Sequence, residues 1–436
     1  MLINFEKFNN EIEFKKALES MFLSLDKKVL ENESYISHNI FEKIITPDHI
    51  ISFDVNWVDD NGNKRVNKGY RVQFNNVNGP YKGGLRFHPS VNLSILKFLA
   101  FEQTFKNFLT GLPMGGGKGG SNFDPKGKSD NEIKNFCIAF MKQLFPYIGV
   151  DKDVPAGDIG VGSKEIETMY LAYKEFSHKS DCALTGKPIY LGGSLARKEA
   201  TGYGVTYFAE QALKTYLNES IKGKRVLISG SGNVALYCLE KVNALGGTVI
   251  AMSDSDSSIY DEDGIDFNLL KDIKENRKGR IKEYALYKTN AKVYPSDALY
   301  SFKADLIFPC ATQFEIDENK AQVLINNGII GVFEGANMPC SVEAANLFIK
   351  NKIIYTPGKA SNAGGVSVSG LEIIQNNKNE KWSFEKVDGE LKNIMENIFN
   401  NIYDMAVSLN DPYNLLKGAN NYAFVGICNK MLERGD

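Results

Sequence analysis

The segment Lys224–Ser229, KRVLIS, leads directly into Gly230-Ser231-Gly232-Asn233-Val234-Ala235. A charged start followed by Val226, Leu227 and Ile228 reads as a buried strand. The glycines after it have the form G-x-G-x-x-A. Gly230 permits a tight turn, Gly232 lets backbone approach a pyrophosphate, and Val234 and the small Ala235 open a helix that sits close to the strand. Glycines gather in turns for steric reasons alone, so the motif takes its weight from what surrounds it. The helix from Asn233 stops at Gly246-Gly247, and a second strand runs from Thr248 to Met252. Asp254 then falls roughly twenty residues downstream, where an acid reads a ribose. A dinucleotide-binding domain is expected, with a Rossmann-like domain that binds no nucleotide as the alternative.

Strand, tight turn and helix alternate from about residue 200, as in a parallel α/β domain. The 436 residues exceed one compact core, since domains close at about 100 to 200 residues, so a second domain precedes this one. There Phe14, Leu18, Phe22, Leu25 and Val29 recur at helical spacing, in a pattern ending before Pro47. Ile51 to Trp57 alternates in polarity, Asn61-Gly62 offers a turn, and Tyr70, Val72 and Phe74 alternate again, which predicts paired strands. Ser90 is placed to cap a long apolar helix reaching Leu112, on which Gln103 and Lys106 share a face. Pro113 to Gly120 and Pro155 to Gly162 read as loops from their glycine content. From Phe384 through Val387, Leu391, Ile394, Ile398 and Ile402 the helical period returns, and these last helices are expected to pack back on the first domain.

A formal net charge of -2 argues against nucleic acid or a membrane surface as partner. No apolar run approaches the roughly 18 residues of a membrane span, and the acidic first residues do not resemble a signal peptide, so a cytoplasmic protein is expected. Six scattered cysteines without a C-x-x-C pair suit reduced thiols, and four histidines without H-E-x-x-H offer no metal site. Catalysis then leans on other groups. Gly115-Gly116-Gly117-Lys118-Gly119-Gly120 is not the phosphate loop of a nucleotide hydrolase, because Leu112 stands where its first glycine belongs and Gly119 where Ser or Thr would hold magnesium. One lysine among so many glycines suits a narrow cleft in which a small substrate touches main chain.

The stretches GPYKGGLRFHPSVNLSILKFLAFEQTFKN, LPMGGGKGGS, DVPAGDIGVG, GGSLARKEATGYG, SGSGNVA, PCATQ, EGANMP and NAGGVSVSGLE, in this order from about residue 50 onward, resemble hexameric glutamate dehydrogenases of the bacterial type. The resemblance implies an α/β subunit of two domains. A discontinuous substrate-binding and oligomerisation domain, residues 1–198 completed by helices in 375–436, would stand beside a Rossmann-like dinucleotide-binding domain, residues 199–374. It further implies a homohexamer, a cleft that closes between the domains, and ammonium with 2-oxoglutarate or glutamate as substrates. Residue by residue it puts substrate binding on Lys82, Gln103, Lys106, Gly157 and Ser369, and catalysis on Lys118 and Asp158. Cofactor contacts fall on Thr201 and Asn233, with Asn337 and Asn362 lining the nicotinamide site. Departures are Lys198 where proline is usual, Cys340 where threonine is common, and a shortened segment between Gly264 and Lys274, the last residue resembling a cofactor phosphate contact.

These residue types suit the chemistry. A dicarboxylic keto acid has two anionic ends, and Lys82 and Lys106 can each meet one while Gln103 adds directional hydrogen bonds. A third lysine nearby, Lys118, would be disfavoured in its charged form by repulsion and desolvation, and so could exchange protons at working pH. Asp158 can then move a proton between the substrate nitrogen and water. Singly, each lysine reads more readily as a solvated charge and Asp158 as a turn residue. Rival readings are a dehydrogenase of an apolar amino acid, against which a cation at Lys82 argues, and a cofactor-sensing protein without catalysis. For the cofactor, Asp254 alone favours NAD, whereas Ser253-Asp254-Ser255 resembles NADP-dependent members, with Ser255 donating and Lys274 or Arg277 supplying charge. NADP is the expectation and NAD the alternative.

Overall fold

The computed structural model describes residues 3–435. They form two compact units. One comprises the chain up to Leu195, Val368–Val387 and the residues from Asn420 onward; the other comprises Ala196–Ser367 and Asp388–Ala419.

The first unit is built on β1 (His49–Val58), β2 (Lys64–Asn75), β3 (Tyr81–Phe87), β4 (Gly116–Ser121) and β5 (Asp153–Gly157), in the order β1-β2-β4-β3-β5. β1 and β2 form the expected antiparallel hairpin, turning at Gly62 with φ +78°. β3 runs parallel to both β4 and β5, so three strands end on the same side. Two of them were expected as loops. Composition misleads because the glycines answer a packing demand: a Cβ at Gly116 would lie 1.9 Å from Thr104 Oγ1 on helix Leu93–Leu109, so only a bare strand fits beneath that helix. That helix is capped by Asn92, whose Oδ1 accepts from the Ile95 amide at 2.9 Å, and Ser90 instead bonds His88. The first helical pattern also breaks early, into Ile12–Ser24 and shorter pieces, because Asp26 caps a new start. The opposite sheet face carries Phe87, Phe123, Phe136 and Phe140, all buried, with the Phe123 and Phe136 rings stacked at 3.9 Å. Helix Asp130–Leu144 delivers two of these rings and starts with a capping box between Ser129 and Glu132. Ser129→Ala should lower unfolding free energy by about 1 kcal/mol, read from denaturant midpoints; no change would show that the cap is redundant.

The second unit holds β6 (Arg225–Ser229), β7 (Thr248–Ser253), β8 (Ser257–Tyr260), β9 (Lys292–Pro295), β10 (Leu306–Pro309), β11 (Gly331–Phe333) and β12 (Ile354–Thr356). Their order is β12-β11-β10-β6-β7-β8-β9, parallel from β12 to β7 and antiparallel at the β8 and β9 edge. The central strands carry buried apolar runs, Val226–Ile228, Val249–Met252 and Leu306–Pro309, as in a sheet covered on both faces. The C-terminal region divides between the units. Helix Phe384–Ser408 begins in the first and continues in the second, where Asp388 accepts from Tyr207 Oη at 2.8 Å and pairs with Lys241 at 2.9 Å. Helix Leu415–Arg434 crosses back, so only its later part joins the first unit. Among the described residues no helix is long and apolar enough to cross a membrane.

Candidate active site

In the first unit the ends of β3, β4 and β5 converge on one carboxylate. Asp158, just past β5, has Oδ2 at 2.9 Å from Lys118 Nζ on β4 and at 2.9 Å from Arg86 Nε on β3. Gly84 makes room for it, since a Cβ there would stand 2.8 Å from that of Asp158. Burial favours the neutral acid, yet Lys118 and Arg86 together hold the Asp158 carboxyl below its ordinary value. Burial also pushes Lys118 down, and although Asp158 opposes this, Arg86 and Arg71 reinforce it. Two cations share one anion, so the lysine, the weaker base of the two, is the one prepared to lose its proton. Arg71 is itself buried and neutralised by Asp153, with Nε donating to Oδ2 at 2.8 Å and Nη1 to the Gly83 carbonyl at 3.0 Å.

Lys82 lies on β3, two strand positions from Gly84 and four from Arg86, so all three share a face. It is buried, and its carbonyl accepts from Asn107 Nδ2 at 3.0 Å. Asn107 Oδ1 also accepts from Gln103 Nε2 at 2.6 Å, so one buried amide ties the helix of Gln103 and Lys106 to β3. Gly157 closes β5 opposite Leu85. Ser369 is buried on helix Gly364–Asn377, and Glu372, one turn on, anchors that stretch by a buried pair with Lys187 at 2.8 Å.

The dinucleotide turn in the second unit matches its reading. Gly230 adopts φ +84°, where a side chain would press on Ala311 at 3.0 Å, while a Cβ at Gly232 would meet nothing within 4 Å. That free space lies at the N-terminus of helix Asn233–Ala244, where the amides of Asn233 and Val234 belong to the first turn and Ala235 is fully buried. The turn therefore fits a dinucleotide pyrophosphate. A groove of about 460 Å³ extends from Gly232 and Asn233 to Lys198, Lys274 and Lys278.

Asp254, just past β7, has its carboxylate partly engaged by backbone. Its Oδ1 accepts from the amides of Asp256 and Ser257 at 2.8 and 3.0 Å, and its Oδ2 from that of Ile281 at 3.1 Å. These bonds outweigh burial and keep the carboxyl below its usual range. Ser255 is exposed, and its Oγ accepts from Arg280 Nη1 at 3.0 Å. Of the cations expected to face it, Arg277 turns away to Asp272 and Tyr287, and Lys274 donates to the Gly279 carbonyl at 3.0 Å. Thr201 opens helix Ala200–Leu217 with Oγ1 beside Gly365, where a Cβ would come within 2.8 Å. Asn337 and Asn362 are brought together, Asn362 Nδ2 donating to Asn337 Oδ1 at 2.9 Å.

Four participants escaped the sequence reading. Arg86 had a signal in its two-residue alternation with Lys82, and Asn107 in its i, i+4 relation to Gln103. Arg280 had none, because the backbone before it widens into a π turn at Asp272–Asn276. Glu334 belongs to the EGANMP stretch, but nothing in that string marks its carboxyl as buried.

Two family models match the chain: Glu/Leu/Phe/Val dehydrogenase, dimerisation domain, over residues 47–175, and Glutamate/Leucine/Phenylalanine/Valine dehydrogenase over residues 192–435. An NAD(P)-specific glutamate dehydrogenase of Xylanibacter ruminicola is 50% identical, over 98% of this chain and 97% of its own. An NADP-specific glutamate dehydrogenase of Helicobacter pylori is likewise 50% identical, over 99% and 97%. The crystal structure of Plasmodium falciparum glutamate dehydrogenase superposes with a TM-score of 0.95 at 48% identity, covering 99% of this chain and 94% of that one. With both models matched in order and half of all positions identical across nearly the full length, the chain belongs to the Glutamate/Leucine/Phenylalanine/Valine dehydrogenase family.

Proposed function

We propose that the chain catalyses the reversible reductive amination of 2-oxoglutarate with ammonium and NADPH to L-glutamate. The observation that carries this reading is the contact of Lys118 with Asp158 at 2.9 Å, on a sheet whose neighbouring strand supplies the buried cation Lys82. The names of the relatives support the same substrate. In this reading Lys82 and Lys106 each hold one substrate carboxylate, Gln103 and the Gly157 backbone orient the keto group, and Ser369 adds a hydroxyl. Lys118, its pKa lowered by burial, takes up and returns a proton at the carbonyl oxygen, and Asp158, its pKa held down by Lys118 and Arg86, carries protons to and from the nitrogen. NADPH, when bound, supplies the hydride. Comparing kcat/KM for 2-oxoglutarate with that for 4-methyl-2-oxopentanoate tests the assignment. A large preference for the dicarboxylate is expected, and equal efficiencies would point to an apolar amino acid instead.

The same reading takes NADP over NAD. Asp254 is drawn toward backbone donors, and Ser255 and Arg280 stand at the surface beside it, placed to meet a 2′-phosphate. Arg280→Ala should cut efficiency with NADPH about tenfold relative to NADH, as for one lost charge-assisted hydrogen bond. An unchanged ratio in steady-state assays would remove Arg280 from the specificity set. A homohexamer in the cytoplasm completes the proposal. Exposed Ile50 and Val66 on the β1–β2 hairpin support the oligomer as apolar surface it would cover, and six free thiols suit a reducing compartment. Light scattering for molar mass is the check, six times the 48.5 kDa chain being the expected result.

A further inference from the structure

Glu334 directly follows β11 and is 2% exposed. Its Oε1 accepts from Tyr355 Oη at 2.9 Å and from the Cys340 amide at 3.2 Å, and its Oε2 accepts from the Gly358 amide at 2.6 Å. Its own carbonyl accepts from Ser361 Oγ at 2.6 Å. The three carboxylate contacts come from three segments: β12, the loop ending at Cys340, and the short helix Gly358–Ser361. Donors alone converge on it, and a carboxylate is the side chain that only accepts. The segments it joins are those that carry Asn337 and Asn362. Asn362 Nδ2 donates to the Ala336 carbonyl at 3.0 Å as well as to Asn337, and a Cβ on Gly358 would come within 2.6 Å of that same carbonyl.

We propose that Glu334 is a positioning residue that clasps the 335–340 loop to Gly358–Asn362, so that Asn337 and Asn362 meet the nicotinamide end of the cofactor as a preset pair. The inference rests on the proposed NADPH-dependent reaction and on the resemblance that puts those asparagines at the nicotinamide site. Burial pushes the Glu334 carboxyl up to about 7, against the hydrogen bonds that favour its anion. The sign follows. Above that value the anion accepts all three donors; below it an added O–H meets a ring of donors, and the clasp loosens. The titratable groups around it are Tyr355 from β12 and Cys340 from the loop, both pushed up by burial, with Glu315 acting on Cys340 and Cys340 in turn on Tyr300 from farther out. Lys359 is the cation on the short helix.

The test is direct NADPH binding to the full chain by fluorescence, from pH 8 to pH 6. Wild type should lose affinity by about tenfold over that range, as one group titrating near 7 requires. Glu334→Gln, which must turn an amide N–H toward a donor, should bind weakly throughout with little pH dependence. Tyr355→Phe removes one donor to the anion with little change in shape, so the midpoint should move to higher pH. Asp158→Asn should keep the wild-type binding profile. A flat wild-type profile, a Glu334→Gln profile like wild type, or an unmoved midpoint in Tyr355→Phe would overturn the positioning role alone. Failure of the wild type to bind either NADPH or NADH would overturn the functional reading together with it.

Discussion

Asp158→Asn should lower kcat by at least about 100-fold, the lower range for removal of a group that moves protons in the transition state. The replacement keeps the size of the side chain and part of its hydrogen bonding, so Arg86 and the glycine-lined space at Gly84 need not rearrange. What it removes is the ionisable oxygen that touches Lys118. Lys118 would also lose its counter-ion and be pushed further toward the neutral form, so the acid form needed on the return step becomes scarcer. NADPH binding should stay near wild type, which separates a chemical effect from a folding effect. Turnover within a few-fold of wild type, with an unchanged melting temperature, would make Asp158 a structural anchor for Arg86. The pH profile carries the same information: because the Lys118 pKa is depressed, the limb of kcat/KM that reports its discharge should rise at a pH below the 10.5 of an ordinary lysine.

Lys82→Leu should reduce kcat/KM for 2-oxoglutarate by about 100-fold or more, equivalent to roughly 3 kcal/mol of lost charged pairing. Lys82 is buried on β3, and its backbone is fixed through Asn107, so a shorter, apolar leucine can occupy the position while the strand stays in place. The loss should fall on substrates with a side-chain carboxylate. A monocarboxylic keto acid has nothing there for the ammonium to hold, and its efficiency should fall less or rise. Equal losses on both substrates would assign Lys82 to catalysis or to the fold.

The dinucleotide turn could be read in advance because its requirements are local: a positive φ at Gly230, space at Gly232 and a small residue at Ala235 are properties of successive residues. β4 could not, because the reason for its glycines is the helix packed over Gly116, which lies about a dozen residues earlier in the chain. Lys118 and Asp158 were assigned by resemblance, and their meeting depends on β3, β4 and β5 ending side by side. That same arrangement adds Arg86, which was hidden in a motif otherwise read for Lys82. Asp254 could be placed after β7 from spacing, but the three backbone amides that reach it from the following turn and from Ile281 could not. Arg280 reaches Ser255 only through an irregular helix end, whose geometry no residue spacing encodes.

The most direct measurement is the balance of the reaction itself, with NADPH, ammonium, 2-oxoglutarate and purified protein, following NADPH by absorbance and L-glutamate by chromatography. The expected result is one glutamate formed per NADPH consumed, with no oxidation when either ammonium or the keto acid is omitted. NADPH oxidation independent of ammonium, or its absence with all components present and the protein folded, would contradict the account.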